Sequence, residues 1–398
     1  MSSEYPAQPH TETLYGCPYD CGICPDHEQH SCLTLIEVTD RCNLTCPTCY
    51  ASSSPHHGRH RTLEEIEFML DAVVRSEGEP DVVQLSGGEP TIHPQFFEIL
   101  DLAKARPIRH LMVNTNGIRI ARDEGFAERL ATYMPDFEVY LQFDSFKADA
   151  LIQLRGQDLR AVRMQALDRL NALNLSTTLV VTLQKGLNDD EIGEIIEFAL
   201  KQPCVRGVTF QPTQVSGRLE QFDPAKDRIT NTEIRREILR QTDIFQENDL
   251  VPVPCNPDAL VMAYALKLGG QVFPLTRLFD PEVLLNSSKN TIVYEQDAAL
   301  HRQVTALFST GVSVDRVQSD LHHLLCCLPA IDAPGLAYDN LFRIIIMNFM
   351  DAYDFDVRAI KKSCVHIVHP SGKIIPFETM NLFYRDEFAE KLATLRKT

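Results

Sequence analysis

The sequence predicts an α/β protein: a partial (β/α)6 barrel, preceded by a cysteine-rich N-terminal segment and followed by a mostly helical C-terminal cap. Three observations carry this expectation. Six strand-like runs alternate with helical runs between residues 33 and 217, the pattern of right-handed βαβ units around a parallel sheet. Six units are too few for a closed eight-stranded barrel and suit an open one. Residues of unusual type (clustered cysteines, a Gly-Gly-Glu turn, lone amides) fall where strands end, the working face of such sheets.

Leu33 to Thr39 is an apolar run with β-branched residues and reads as the first strand. After a cysteine loop, Thr62-Leu-Glu-Glu65 is a capping box, and Ile66, Met69, Leu70, Val73 and Val74 follow at helical spacing. Asp81 to Leu85 is the second strand and ends at Ser86-Gly-Gly-Glu-Pro-Thr91. A helix from about Pro94 to Ala105 leads to a strand at His110 to Asn114, and a helix near Asp123 to Thr132 leads to one at Phe137 to Phe143. One long helical stretch, about Lys147 to Leu173, precedes the strand Ser176 to Leu183. Asn188 is placed to cap a helix that carries Ile192, Ile195, Ile196, Ala199 and Leu200 on one face, and Gly207 to Gln211 closes the series. Beyond about residue 218 the alternation fades. Helices are expected near 231–247, 258–268, 295–309, 315–328 and 336–350, then a short β-like end around Ser363 to Phe377. The expected division is 1–32, an N-terminal arm and cysteine segment; 33–217, the barrel; and 218–398, the cap.

Composition narrows the function. With 38 Lys plus Arg against 55 Asp plus Glu, the net charge is −17, which argues against a nucleic-acid binder. No apolar run reaches the ~18 residues of a membrane span. Residues 1–16 have neither a basic region nor an apolar one, so no secretory signal is expected and the protein is placed in the cytoplasm. Peripheral membrane contact stays open. Of 12 cysteines, seven lie between Cys17 and Cys49. In a large chain of a reducing compartment, such clustering points to metal rather than disulfides.

The strongest motif is Cys42-Asn-Leu-Thr-Cys46-Pro-Thr-Cys49, spaced C-x3-C-x2-C after the first strand. Three thiolates on one loop can hold three irons of a [4Fe–4S] cube and leave the fourth iron open. A four-cysteine zinc ribbon would instead show two C-x-x-C pairs. The spacing recurs in Cys17-Pro-Tyr-Asp-Cys21-Gly-Ile-Cys24, with Cys32 beyond it and His27 and His30 between. Those four cysteines can complete a second cluster, or a zinc site with one of the histidines. Cys255, Cys326-Cys327 and Cys364 are dispersed. They make a third set, of which Cys255, Cys327 and Cys364 are taken as candidate ligands, or Cys364 joins the N-terminal set. Cys204 reads as core.

Cys42, Cys46 and Cys49 together with Ser86 to Pro90 resemble the radical SAM superfamily over roughly residues 33 to 215. The resemblance implies that the three cysteines hold the catalytic cluster and that Gly87, Gly88 and Glu89 contact the methionine end of S-adenosylmethionine. Asn116, Gln142 and Asp144 are implied at positions touching ribose or methionine. One departure is Thr48, where an aromatic residue is common; Tyr50 stands just after Cys49. Cleavage of the sulfonium by the reduced cluster would give a 5′-deoxyadenosyl radical able to attack an unactivated C–H bond. An external donor of flavodoxin or ferredoxin type is implied.

A narrower resemblance, to the archaeal tetraether lipid synthase family, rests on Gly16 to Tyr50, on Val253-Pro-Cys-Asn-Pro-Asp258 and on Cys364 to Phe377 with Asn381 to Arg385. It implies one or two auxiliary [4Fe–4S] clusters and C–C bond formation between lipid chains. That family's upstream rubredoxin-like segment is expected to be missing, since sixteen residues precede Cys17. Apolar runs such as Ala259–Leu266, Leu324-Leu325 and Leu341–Met350 can wall a tunnel for such a substrate. The alternative is a methyl- or alkyltransferase acting on a pterin or other small molecule.

Overall fold

The computed structural model describes residues 16–253, 256–268, 270–277 and 340–385. In chain order the strands are β1 (Leu33–Thr39), β2 (Thr48–Cys49), β3 (Val82–Gly87), β4 (His110–Thr115), β5 (Phe137–Gln142), β6 (Thr177–Leu183), β7 (Val205–Pro212), β8 (Arg218–Leu219), β9 (Val251–Pro252), β10 (Leu260–Leu268), β11 (Gln271–Pro274), β12 (Leu341–Met347), β13 (Val365–Val368) and β14 (Ile374–Pro376). The helices are α1 (Leu63–Glu77), α2 (Phe96–Lys104), α3 (Ile118–Arg122), α4 (Phe126–Ala131), α5 (Ala148–Arg155), α6 (Arg160–Ala172), α7 (Ile192–Lys201), α8 (Asn231–Gln241), α9 (Val357–Ile360) and α10 (Phe377–Phe383).

The expected α/β fold is present. β1, β3, β4, β5, β6 and β7 lie side by side and parallel in that order. Their runs are buried on both faces, so they read as continuous apolar segments rather than alternating ones. Helices cover the outer face, where the larger core cluster forms around Ile66, Leu100, Leu130, Leu167 and Ile195. The capping box starts α1 as expected: Thr62 N donates to Glu65 Oε2 at 2.8 Å and Glu65 N to Thr62 Oγ1 at 3.3 Å.

Several elements differ from the sequence expectation. The long helix over 147–173 is two helices, α5 and α6. The break follows Gly156, whose φ of +83° is left-handed; a Cβ there would lie 3.3 Å from Thr45 O, so the kink seats the cysteine loop. Asn188 does not cap its helix. A 3-10 turn, Asp189–Glu191, intervenes, and the Asn188 amide donates to Asp144 O and Thr182 O. The helices expected at 258–268 and 336–350 are the strands β10 and β12. Apolar runs of that length carry no periodicity that separates a buried strand from a buried helix, and pairing decided it. β12 pairs parallel with β7, and β10 runs antiparallel to β12. At the opposite edge β13 pairs parallel with β1, and β14 turns back on it. Segments from 218–398 therefore complete the barrel sheet from both sides. Parallel strands run unbroken in the order β12-β7-β6-β5-β4-β3-β1-β13. The helices expected at 295–309 and 315–328 lie outside the described residues.

The concave face is layered. At its base Arg343 Nη2 donates to Glu138 Oε1 and Oε2 at 2.7 and 2.6 Å, and His110 Nε2 lies 3.4 Å from Glu138 Oε2. Above lie Leu35, Met112, Tyr140, Val180 and Ile345 in the inner core cluster. At the C-terminal strand ends a cavity opens. Among the described residues no helix is long and apolar enough to cross a membrane.

Candidate active site

The cysteine loop begins three residues after β1 and is tied down from several sides. Cys42 N donates to Ser54 O at 3.2 Å, and Leu44 N approaches Cys42 Sγ at 3.4 Å. β2 pairs with β8, so the chain leaving the last barrel strand closes over the loop. Arg218 fastens it there, with Nε donating to Cys46 O at 2.6 Å and Nη2 to Ser53 O at 2.7 Å. Cys42 and Cys46 are buried, Cys49 is half-buried, and all three line the cavity.

Burial pushes the Cys42 thiol up, and the nearby Glu89 carboxylate adds to the rise. Burial also raises Cys46, against the pull of the Arg155 guanidinium. Thiols so placed become thiolates when a metal takes the proton's place. Cys42, Cys46 and Cys49 line one cavity, and three such thiolates fit a [4Fe–4S] cluster, one iron per thiolate.

The Gly-Gly-Glu turn follows β3. A Cβ on Gly87, whose φ is +125°, would meet Thr39 O at 2.2 Å, and one on Gly88 would meet Arg41 O at 2.1 Å. The glycines let this turn pack against the backbone that launches the cysteine loop, and both line the cavity. Glu89 is buried, and burial raises its carboxyl. Its Oε1 accepts from Thr91 Oγ1 at 2.6 Å and Thr115 Oγ1 at 2.7 Å, and its Oε2 from Asn116 N at 2.7 Å. Glu89 thus ties the turn to the end of β4. Asn116 in turn donates from Nδ2 to Asn43 Oδ1 at 2.6 Å, inside the cysteine loop.

Gln142 lines the cavity at the end of β5, with Nε2 donating to Asn114 Oδ1 at 2.9 Å. Asp144 stands behind it and does not line the cavity. Its carboxylate accepts from Arg155 Nε at 2.7 Å and Nη2 at 2.6 Å, and Arg163 Nη2 lies 3.5 Å away. Arg155 also reaches Gln142 Oε1 at 3.0 Å and Thr182 Oγ1 at 2.8 Å, and it lines the cavity. Sequence reasoning missed Arg155 because it sits inside a helical stretch with nothing to mark it. Tyr50 is half-buried, with its hydroxyl 3.4 Å from Ser86 Oγ and its ring 5.1 Å from Phe377. Burial raises its hydroxyl.

Of the N-terminal cysteines, Cys32 immediately precedes β1 and Cys42 follows it, so roughly 20 Å of strand separates these two. The structure brings Cys17 and Cys21 into hydrogen-bond contact: that bond lowers the Cys17 thiol and raises Cys21. Cys21, Cys32 and Cys364 are buried in one cluster, and Leu33 N donates to Cys364 O at 3.2 Å. Cys24 is half-buried at the rim. Tyr384 anchors the segment, its hydroxyl 2.7 Å from Cys21 N. His27 Nε2 lies 2.8 Å from Ser363 O and 3.1 Å from His366 Nε2, a neighbour that sequence reasoning did not select. His30 approaches Cys32 Sγ at 3.6 Å. Cys255 and Cys327 lie outside the described residues. Cys204 is buried core, as expected.

Residues 36–199 match the family model described as the Radical SAM superfamily. The 7,8-dihydro-6-hydroxymethylpterin dimethyltransferase of Methanocaldococcus jannaschii is 29% identical over 96% of this chain and 83% of its own length. A GTP 3′,8-cyclase of Pseudomonas fluorescens is 26% identical over 59% of this chain and 69% of its own. The crystal structure of Streptococcus suis SuiB bound to S-adenosylmethionine aligns with a TM-score of 0.43 at 16% identity, over 54% of this chain and 48% of that one. This chain thus spans about half of that structure.

Proposed function

We propose that this chain works as an enzyme of the radical SAM superfamily, whose model matches residues 36–199, and that it transfers a methyl or other alkyl group to a pterin or a similarly flat, hydrogen-bonding heterocycle. Its cofactors are a [4Fe–4S] cluster and S-adenosylmethionine, which together supply a carbon radical able to take hydrogen from an unactivated C–H bond.

The observation that carries the substrate class is the cavity wall. Beside Cys42, Cys46 and Cys49 it presents the amides of Gln84, Asn114, Gln142, Gln211 and Gln214, with Tyr140, Phe349 and Phe377 among them. Amides placed among aromatic rings recognise the edge and the faces of a heterocycle. A long alkyl chain would leave the Gln84 donor unpaired, since Asn114, Gln142, Gln211 and Gln214 already bond within the protein. Of the apolar runs expected to wall a lipid tunnel, Leu260–Leu266 and Leu341–Met347 are paired strands, and the second run brings only Met347 and Phe349 to the cavity wall. The pterin dimethyltransferase similar over most of this chain supports the same class, and lipid C–C bond formation finds no support among the relatives described.

In this reading Cys42, Cys46 and Cys49 hold the catalytic cluster. The backbone at Gly87 and Gly88 and the guanidinium of Arg155 face the amino-acid end of S-adenosylmethionine, with Glu89 and Asn116 fixing the two loops that carry them. Gln142 and Asp144 act through Arg155. Tyr50, Phe349 and Phe377 exclude water from the reacting carbon. Cys17, Cys21, Cys24 and Cys32, with Cys364 beside them, bind an auxiliary cluster.

The test is anaerobic reconstitution followed by 5′-deoxyadenosine release with and without 6-hydroxymethyl-7,8-dihydropterin. The expected result is pterin-stimulated cleavage, with a pterin product heavier by one or more alkyl groups in mass spectrometry. C46A and C49A abolish both. Cleavage indifferent to pterin but stimulated by an extracted lipid pool would overturn the proposal.

A further inference from the structure

Five of the six amides on the cavity wall, Asn116 among them through its bond to Asn43, make at least one hydrogen bond within the protein. Asn114 Oδ1 accepts from Gln142 Nε2 at 2.9 Å, and Gln142 Oε1 from Arg155 Nη2 at 3.0 Å. Gln211 Nε2 donates to Tyr140 Oη at 3.3 Å, and Gln214 Nε2 to Met350 O at 2.6 Å. Gln84 differs. Its residue is only 3% exposed, and its Nε2 has no hydrogen-bond partner among the described residues.

The register explains its position. Gln84 lies on β3 between Leu35 of β1 and Met112 of β4, which belong to the inner core cluster. It precedes the Gly87 turn by three residues, so it stands roughly 10 Å deeper in the barrel than the turn. Its two strand neighbours are apolar, and Glu138, next in register on β5, is taken up by Arg343. A buried donor left unpaired is disfavoured, and its survival among apolar neighbours marks a position that a ligand completes.

We propose that Gln84 is a specificity-determining donor for substrate: its Nε2 donates to a carbonyl oxygen or unprotonated ring nitrogen on the inner edge of the heterocycle. The proposal rests on the heterocycle reading given above. It also sets the orientation. The acceptor edge points down the barrel toward β3, and the carbon to be alkylated faces the mouth where the three cysteines lie. An apolar chain reaching this depth would leave the donor unmatched, so Gln84 discriminates against it.

The experiment is binding, not turnover. Reconstituted wild type, Q84L and Q84E are titrated anaerobically with 6-hydroxymethyl-7,8-dihydropterin, with S-adenosylmethionine present and reductant absent, by calorimetry. Removing one buried hydrogen bond to a ligand is expected to weaken pterin binding about 10-fold or more in Q84L. Q84E, which keeps the shape but turns a donor into an acceptor, weakens it at least as much. Affinity for S-adenosylmethionine stays within about twofold in both, because Gln84 lies below the turn that meets it. Q84L melts at or above the wild-type temperature, since it removes an unpaired donor. Q84L binding pterin as tightly as wild type overturns the role of Gln84 and leaves the heterocycle reading intact. Wild type that binds no pterin overturns both.

Discussion

Replacing Asp144 by asparagine isolates the electrostatic support behind the cavity. Asp144 is fully buried and holds a left-handed φ of +68°, a conformation that asparagine also tolerates. The substitution therefore removes charge without adding backbone strain. Burial acts to raise the Asp144 carboxyl, but the Arg155 and Arg163 guanidiniums outweigh it and hold the group below its ordinary value. In D144N both arginines remain buried without their counter-charge. Breaking a buried ion pair from one side costs about 3–5 kcal/mol. At roughly 2 °C per kcal/mol for a large domain, the melting temperature falls by roughly 6–10 °C. The assay is thermal unfolding of the reconstituted protein at a fixed scan rate, with S-adenosylmethionine binding measured in parallel. Arg155 loses its anchor, so cofactor affinity drops as well. D144N/R155M is less destabilised than the sum of the single variants, because the two changes remove one interaction. Lowered in the fold, the Asp144 carboxyl contributes stability above its unfolded pKa, and that contribution is lost as pH falls through the folded one. D144N should therefore lose less stability on acidification. A D144N protein melting within about 2 °C of wild type would refute the reasoning.

Other positions give separate expectations. At the base of the barrel, E138Q strands Arg343, whose side chain is 5% exposed, and should destabilise by about 3–5 kcal/mol, whereas the apolar pair E138L/R343M should come close to wild type in the same thermal scans. R218A removes the two bonds from Arg218 to Cys46 O and Ser53 O. The cluster in that variant should bleach about 10-fold faster in air, read at its visible absorbance, while far-UV circular dichroism is unchanged; equal bleaching would show that the loop needs no such fastening. Burial raises Glu378 to about 7, from an ordinary 4.5. A raised carboxyl stabilises the fold fully below its unfolded value and loses that contribution as pH rises through the folded one. At about 1.4 kcal/mol per unit, up to about 3 kcal/mol disappears between pH 4.5 and 7. Relative to wild type, E378Q should thus gain stability with rising pH, and a pH-independent difference between them would count against it.

The cysteine loop on the cavity and the barrel core were legible because each rests on local pattern. Cys42, Cys46 and Cys49 declare themselves by spacing, and six strands by apolar runs set between capped helices. The two expected helices that proved to be β10 and β12 were not legible. Ala259–Leu266 is unbroken and Leu341–Met347 is broken only by Arg343, so nothing in the sequence separates the two periods, and the partners that decided between them, β7 and β12 itself, are far away in the chain. The cofactor assignments were legible only in part. Gly87, Gly88 and Gln142 line the cavity, whereas Asp144 lies behind Arg155, which no motif singled out.

What the sequence determined by itself is therefore the chemistry of its loops: the metal-binding spacing, the glycine turn and the alternation that brings both to the same end of a parallel sheet. Only the tertiary structure decided how the sheet is completed on both edges by the chain beyond residue 218, which arginines pack against Asp144, and which of six amides keeps a buried unpaired donor. Those outcomes depend on register between strands distant in sequence. A one-residue change in register would turn Gln84 away from the cavity, and no local propensity encodes that choice.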